Sequence, residues 1–228
     1  MERRRNKWLM KSIFLTILTL TLVFAWKLDS RAEQKPSLAI LPFFIVRIEN
    51  PERGAVICPL CKGIYQYGEV FPGSQNILTQ LLYVKIERLE KFRILPLEKV
   101  EETLSPSMIE QFEKKPIPST IEIGKEMGAD FILVGYLFRF EERVGSSIGV
   151  ERPASVGFDV HLFRLKDGVE VWMGKFDETQ RPLSDNLLKI GAFIKGKASW
   201  LRAEDLAGLG MDEMLKKLPG TTVLEKAP

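Results

Sequence analysis

Ile123-Gly124-Lys125-Glu126-Met127-Gly128-Ala129-Asp130-Phe131-Ile132-Leu133-Val134-Gly135 is the stretch that decides the fold. Its first half has helical spacing and stops at Gly128, a residue that ends helices in the left-handed conformation without a Cβ penalty. Ala129 lets the chain turn tightly. Phe131 to Val134 then begins a strand. Gly135 within that strand marks a place where a packed neighbour comes close. A helix that runs straight into a strand is the elementary step of an α/β domain.

Toward the N-terminus, Ser119 with Glu122 three places on reads as a capping box for this helix. Pro106, Pro116 and Pro118 read as breaks before it. Leu97 to Leu104 reads as a short helix and Phe92 to Leu95 as a short strand. Ser74 reads as the cap of a longer helix to about Lys91, with Ile77, Leu78, Leu81, Leu82, Val84 and Leu89 at helical spacing. Ser37 to Val46 is an apolar run that predicts a buried strand, with Pro42 implying an edge position or a bulge. Residues 48–73, rich in Gly and Pro, read as a long irregular loop, a kind of segment that is often functional.

Toward the C-terminus, Asp130 to Val144 and Ala154 to Lys166 predict two long strands. In the second, Val156, Phe158, Val160 and Leu162 alternate with Ser155, Gly157, Asp159 and His161, the pattern of a half-buried strand. Asp167-Gly168 predicts a tight hairpin, returned by Val169 to Asp177. Gly145-Ser146-Ser147-Ile148-Gly149 lies between strands and reads as a hairpin tip, since a phosphate cradle wants a helix N-terminus. Asn186 to Ala207 and Asp212 to Leu218 read as helices, and the tail from Gly220 as frayed. The expected fold is α/β (α+β): a single small mixed β-sheet with a long antiparallel hairpin and flanking helices, preceded by an N-terminal hydrophobic helix. The expected organisation is an export segment over 1–35, the α/β domain over 36–180, and a helical segment over 181–228.

The sequence Leu38-Ala39-Ile40-Leu41-Pro42-Phe43, then Phe92-Arg93-Ile94-Leu95-Pro96, then Gly124 to Gly135, followed by long strands and an Asp-Gly hairpin, resembles one group of envelope domains. These are the periplasmic part of the curli secretion channel CsgG, the amino-terminal domain of TolB, and the penicillin-binding-protein activator LpoB. The resemblance covers roughly residues 37–180 and implies an interaction role, with another envelope protein or a second copy as partner, and no catalytic residue. The chain departs from CsgG and LpoB in lacking a lipidation cysteine after its apolar run. Residues 139–166 supply only one long hairpin, so a pore is not expected.

The chain has 228 residues, 45% of them hydrophobic and 28% charged, as in an ordinary folded protein. Its formal net charge of +3 is concentrated at one end, in Arg3, Arg4, Arg5, Lys7 and Lys11. The rest is near neutral, which excludes the clustered basic face of a nucleic-acid binder. The basic start, the apolar stretch from Ser12 to Trp26 and the polar exit read as a Sec-type export signal. Ser30-Arg31-Ala32 offers a cleavage site; without cleavage, Trp8 and Trp26 would lie at the two interfaces of a membrane anchor. Either way the expected location is the periplasm, free or anchored at the inner membrane.

Cys58-Pro59-Leu60-Cys61 is the one motif with chemistry of its own. In an oxidising compartment it suits a local disulfide. With Gly63 it also matches half of a zinc knuckle, which would need His161, carboxylates or a second subunit to reach four ligands. A redox-active dithiol wants the first cysteine at a helix N-terminus, and Gly63 to Gly68 is not helical in pattern. His161 is the only histidine, and it reads as an exposed or half-exposed sheet residue. Its solitude rules out any multi-histidine site within the chain. Tyr65, Tyr67 and Phe71 are candidates for an interaction surface, whereas Trp172 and Trp200 read as core. Adjacent Glu101-Glu102 and Glu141-Glu142 diverge on their elements and read as solvated. No enzyme activity and no required cofactor are expected, zinc being the one candidate.

Overall fold

The computed structural model describes residues 35–47, 54–181 and 199–226. The export segment, with its expected hydrophobic helix, cleavage site and anchor, lies outside the described residues. No helix among the described residues is long and apolar enough to cross a membrane.

The centre is a six-stranded mixed sheet. Its strands are β1 (Ser37–Ile40), β2 (Phe44–Ile45), β5 (Arg93–Ile94), β6 (Phe131–Glu141), β9 (Ser155–Arg164) and β10 (Val169–Thr179), in the order β10-β9-β6-β1-β5, with β2 also on β6. β1 runs parallel to β5 and β6, while β6, β9 and β10 form an antiparallel meander. Strands β3 (Ala55–Ile57) and β4 (Ile64–Gln66) form a separate hairpin, and β7 (Val144–Gly145) with β8 (Val150–Arg152) closes the tip of the long one.

The opening motif behaves as its chemistry requires. Helix α4 (Pro116–Glu126) ends before Gly128, which has φ 67°. Asp130 then accepts from the Ser37 amide and hydroxyl at 2.7 and 2.6 Å, fixing the start of β6 to the start of β1. Gly135 is the point of close approach: a Cβ there would lie 2.5 Å from the Phe43 ring.

Both faces of the sheet are covered. One face carries Leu38, Ile40, Leu133, Val156, Phe158, Val160 and Leu162 under α1 (Ser74–Arg88) and α5 (Ala203–Leu215). The other carries Ile132, Val134, Tyr136, Phe138, Phe163 and Leu165. It lies under α2 (Leu97–Thr103), α3 (Pro106–Lys114), α4 and the β3–β4 hairpin. This second layer corrects the expectation of a half-buried strand: all ten residues of β9 are buried, His161 among them.

Other departures have local causes. Pro42 marks no edge, because β1 lies between β5 and β6; the chain leaves the ladder there and rejoins β6 at Phe44. Residues 55–66 are a hairpin rather than irregular loop; Val56 and Tyr65 supply a buried side too short for a periodic signal. Gly73, at φ 84°, is the cap of α1, and Ser74 is its first residue. Pro106 and Pro116 begin helices instead of breaking the chain, since the first helical turn needs no amide donor. Ser119 therefore lies inside α4, its amide bonded to Lys115 O. Among the described residues one helix, α5, runs without a break across the gap expected between residues 207 and 212; the part of the expected helix over 186–198 lies outside the described residues. The tail is ordered as α6 (Thr221–Lys226), with Leu224 buried and its carbonyl accepting from Arg164 Nη1 at 2.7 Å.

Candidate functional site

The site forms where the β3–β4 hairpin lies on the sheet. Its turn contains the cysteine pair. Cys58 N donates to Gly63 O at 2.9 Å and Lys62 N to Cys58 O at 3.2 Å, with Lys62 in the left-handed region at φ 60°. This reversal turns both sulfurs toward the sheet and lets Gly63 N donate to Cys61 Sγ at 3.3 Å. A side chain at Gly63 would crowd that sulfur, since a Cβ would lie 3.1 Å from it.

The sheet supplies Asp159 and His161. Two residues apart on β9, they point to the same face, the one the hairpin covers. Cys58 Sγ lies 3.5 Å from His161 Nε2, and Cys61 Sγ lies 3.8 Å from Asp159 Oδ2. His161 Nε2 is also 3.2 Å from Asp159 Oδ1. That contact is not aligned as a hydrogen bond, and Oδ1 has no hydrogen-bond partner among the described residues. One ligand atom from each of Cys58, Cys61, Asp159 and His161 can be chosen so that all lie within 4.8 Å of one another. The other ring nitrogen, Nδ1, lies 2.7 Å from Glu170 Oε1 on β10.

The cluster is sealed. Cys58, Asp159 and His161 are each 0% exposed, and only Cys61 is partly open. Tyr65, stacked on Phe138 at 4.0 Å, and Tyr136, edge-on to the His161 ring, close it. Burial pushes the Cys58 thiol up to about 11. Burial alone would lower His161, but the Asp159 carboxylate, the Cys58 sulfur and the Glu170 carboxylate beside it outweigh burial and raise the imidazole to about 12. Burial also raises the Tyr65 and Tyr136 hydroxyls.

The residues singled out from sequence fall into two groups. Cys58 and Cys61 enter the cluster as free thiols. His161, expected to be exposed or half-exposed, is its buried centre; the odd-numbered side of β9 is covered because it continues into Phe163 and Leu165. Tyr65 is 1% exposed and thus belongs to the packing over the cluster. Tyr67 is half-buried and Phe71 is 59% exposed. Asp159 and Glu170 were not singled out. The Asp-x-His spacing of Asp159 and His161 on a strand was the signal available for the first. Glu170 is brought in only by the hairpin register. A shallow groove lined by Asn76, Gln80, Val84, Arg88 and Glu204 contains none of these residues.

The class defined here is a mixed-sheet α/β domain with a closed Cys-Cys-Asp-His cluster under a short hairpin. No protein-family model matches the chain, and no curated protein matches it in sequence. Solved structures are similar at low identity. The PelC dodecamer from Paraburkholderia phytofirmans has TM-score 0.45 and 12% identity, over 84% of this chain and 91% of that one. The hypothetical protein CT253 from Chlamydia trachomatis has TM-score 0.45 and 13% identity, over 81% and 93%. The C-terminal domain of LpoB from Salmonella enterica has TM-score 0.37 and 15% identity, over 68% and 92%. The resemblance to CsgG and TolB rests on sequence motifs. Likenesses at this level transfer no function to the chain.

Proposed function

We propose that this protein is a non-enzymatic accessory protein of the cell envelope that binds another protein through the outer face of its β3–β4 hairpin. One observation carries the reading. Ile57 and Ile64 are cross-strand partners, and they are 58% and 68% exposed while Val56 and Tyr65 beside them are buried. Large apolar side chains held side by side in water on an anchored hairpin are the makings of an interface core. The non-enzymatic part is supported by the sealing of the cluster, whose one histidine has no exposure to offer a substrate. The envelope location is supported by the basic and apolar start of the sequence, residues 1–32.

The test is site-specific photocrosslinking in cells, with the reactive residue at position 64 and, as control, at the exposed Val223. A discrete adduct from 64 alone, lost when Ile57→Glu is added, is the expected result. Its mass then distinguishes a second copy of this chain from a different envelope protein. Equal labelling from both positions, or none from 64, overturns the reading. An alkaline phosphatase fusion after residue 226 should be active; an inactive fusion would place the domain in the cytosol.

A further inference from the structure

We propose that Cys58, Cys61, Asp159 and His161 form a structural zinc site that binds the β3–β4 hairpin to the sheet. The inference is independent of which protein the hairpin contacts.

The donor set suits zinc, a borderline-soft ion that combines thiolate, imidazole and carboxylate ligands in a tetrahedron. Size agrees as well. From the usual zinc–ligand bond lengths, a tetrahedral site separates sulfur from nitrogen by about 3.5 Å, sulfur from carboxylate oxygen by about 3.6 Å, and nitrogen from oxygen by about 3.4 Å. Here Cys58 Sγ is 3.5 Å from His161 Nε2, Cys61 Sγ is 3.8 Å from Asp159 Oδ2, and His161 Nε2 is 3.2 Å from Asp159 Oδ1, the other oxygen of the same carboxylate. These three separations are close to tetrahedral ones, and one ligand atom from each of the four residues falls within 4.8 Å of the others.

Donor and acceptor counting points the same way. With Nδ1 donating to Glu170, a neutral His161 presents the lone pair of Nε2 to Cys58 Sγ and Asp159 Oδ1. For that tautomer three electron-rich atoms converge in a buried space, and Asp159 Oδ1 has no aligned hydrogen-bond donor among the described residues. A cation resolves this. The Glu170 contact is the carboxylate–histidine pairing that orients a metal-bound imidazole. The Gly63 amide on Cys61 Sγ is the backbone donor that stabilises a thiolate. Two rivals remain chemically: an imidazolium filling the space with its proton, and a Cys58–Cys61 disulfide.

The full chain, purified from envelopes without chelator, should contain one zinc per chain by elemental analysis. Both thiols should react with a thiol reagent only after zinc is chelated. Cobalt added to the chelated protein should give the intense visible bands of a tetrahedral site and a sulfur-to-cobalt charge-transfer band. Cys61→Ser should weaken that band, and Cys58→Ser together with Cys61→Ser should abolish it. Glu170→Gln, at a side chain 35% exposed, should leave the fold intact by circular dichroism and weaken cobalt binding about 10–100-fold. Metal-free protein with thiols reactive from the start, a disulfide found by mass spectrometry, or cobalt spectra unchanged in Cys61→Ser would each overturn the proposal.

Discussion

His161 shows how much a single buried side chain can be asked to do. Asp159, Cys58 and Glu170 all face it, and together they raise it from 6.5 to about 12 against its burial. In metal-free protein that shift has a defined sign. A raised folded-state value gives stability that is fully present below pH 6.5 and is lost as pH climbs toward 12. The stability gap between chelated wild type and His161→Gln, measured by urea denaturation, should therefore narrow as pH rises above 6.5. A gap that stayed level above pH 6.5 would show that the imidazole is neutral when folded. Gly135 makes a second demand at this scale. A methyl group there meets the Phe43 ring at 2.5 Å, so Gly135→Ala should cost about 1–3 kcal/mol through overpacking, read as a lower urea midpoint.

At the scale of elements, the β3–β4 hairpin has a second attachment besides its turn. Arg139 on β6 is 1% exposed and donates to Gln66 O at 2.7 Å, Asp177 Oδ1 at 2.8 Å and Ser155 Oγ at 2.6 Å. Asp177 in turn accepts from Gln66 N at 3.2 Å. Arg139→Met should destabilise toward the lower end of the ~3–5 kcal/mol seen when one partner of a buried pair is removed, because Asp177 keeps some contact with water. Amide hydrogen exchange should also accelerate at residues 64–67. Sequence periodicity shows the long strands and the Asp167-Gly168 turn, because those segments are long enough for period two to stand out. It does not show this hairpin, whose strands are three residues each. It misreads β9 too, since alternation records which side chains are polar and not whether a second layer covers them. Half of the cluster was readable in the Cys58–Cys61 spacing; the other half depends on that cover.

At the scale of the whole molecule, the sheet is enclosed by elements distant in sequence, and C-terminal residues share one core cluster with the first strand. Leu224 is buried, and Arg164 and Lys166 donate to carbonyls of α6. Truncation after residue 220 should lower stability by about 1.5–3 kcal/mol for the leucine alone, measured by thermal unfolding. Full retention of stability would mean that α6 is not part of the fold. The helix-into-strand stretch at 123–135 made the architecture readable because backbone geometry and burial both act within it. Burial of the terminal helix was unreadable, because its contacts, Arg164 among them, lie far away along the chain.

The two attachments of the short hairpin differ in kind. Arg139 is always charged and needs nothing from solution, whereas the cysteine end depends on redox state and on what ions are at hand. A change in surroundings should thus loosen one corner while the other stays pinned, so that Ile57 and Ile64 shift their aim without leaving the surface.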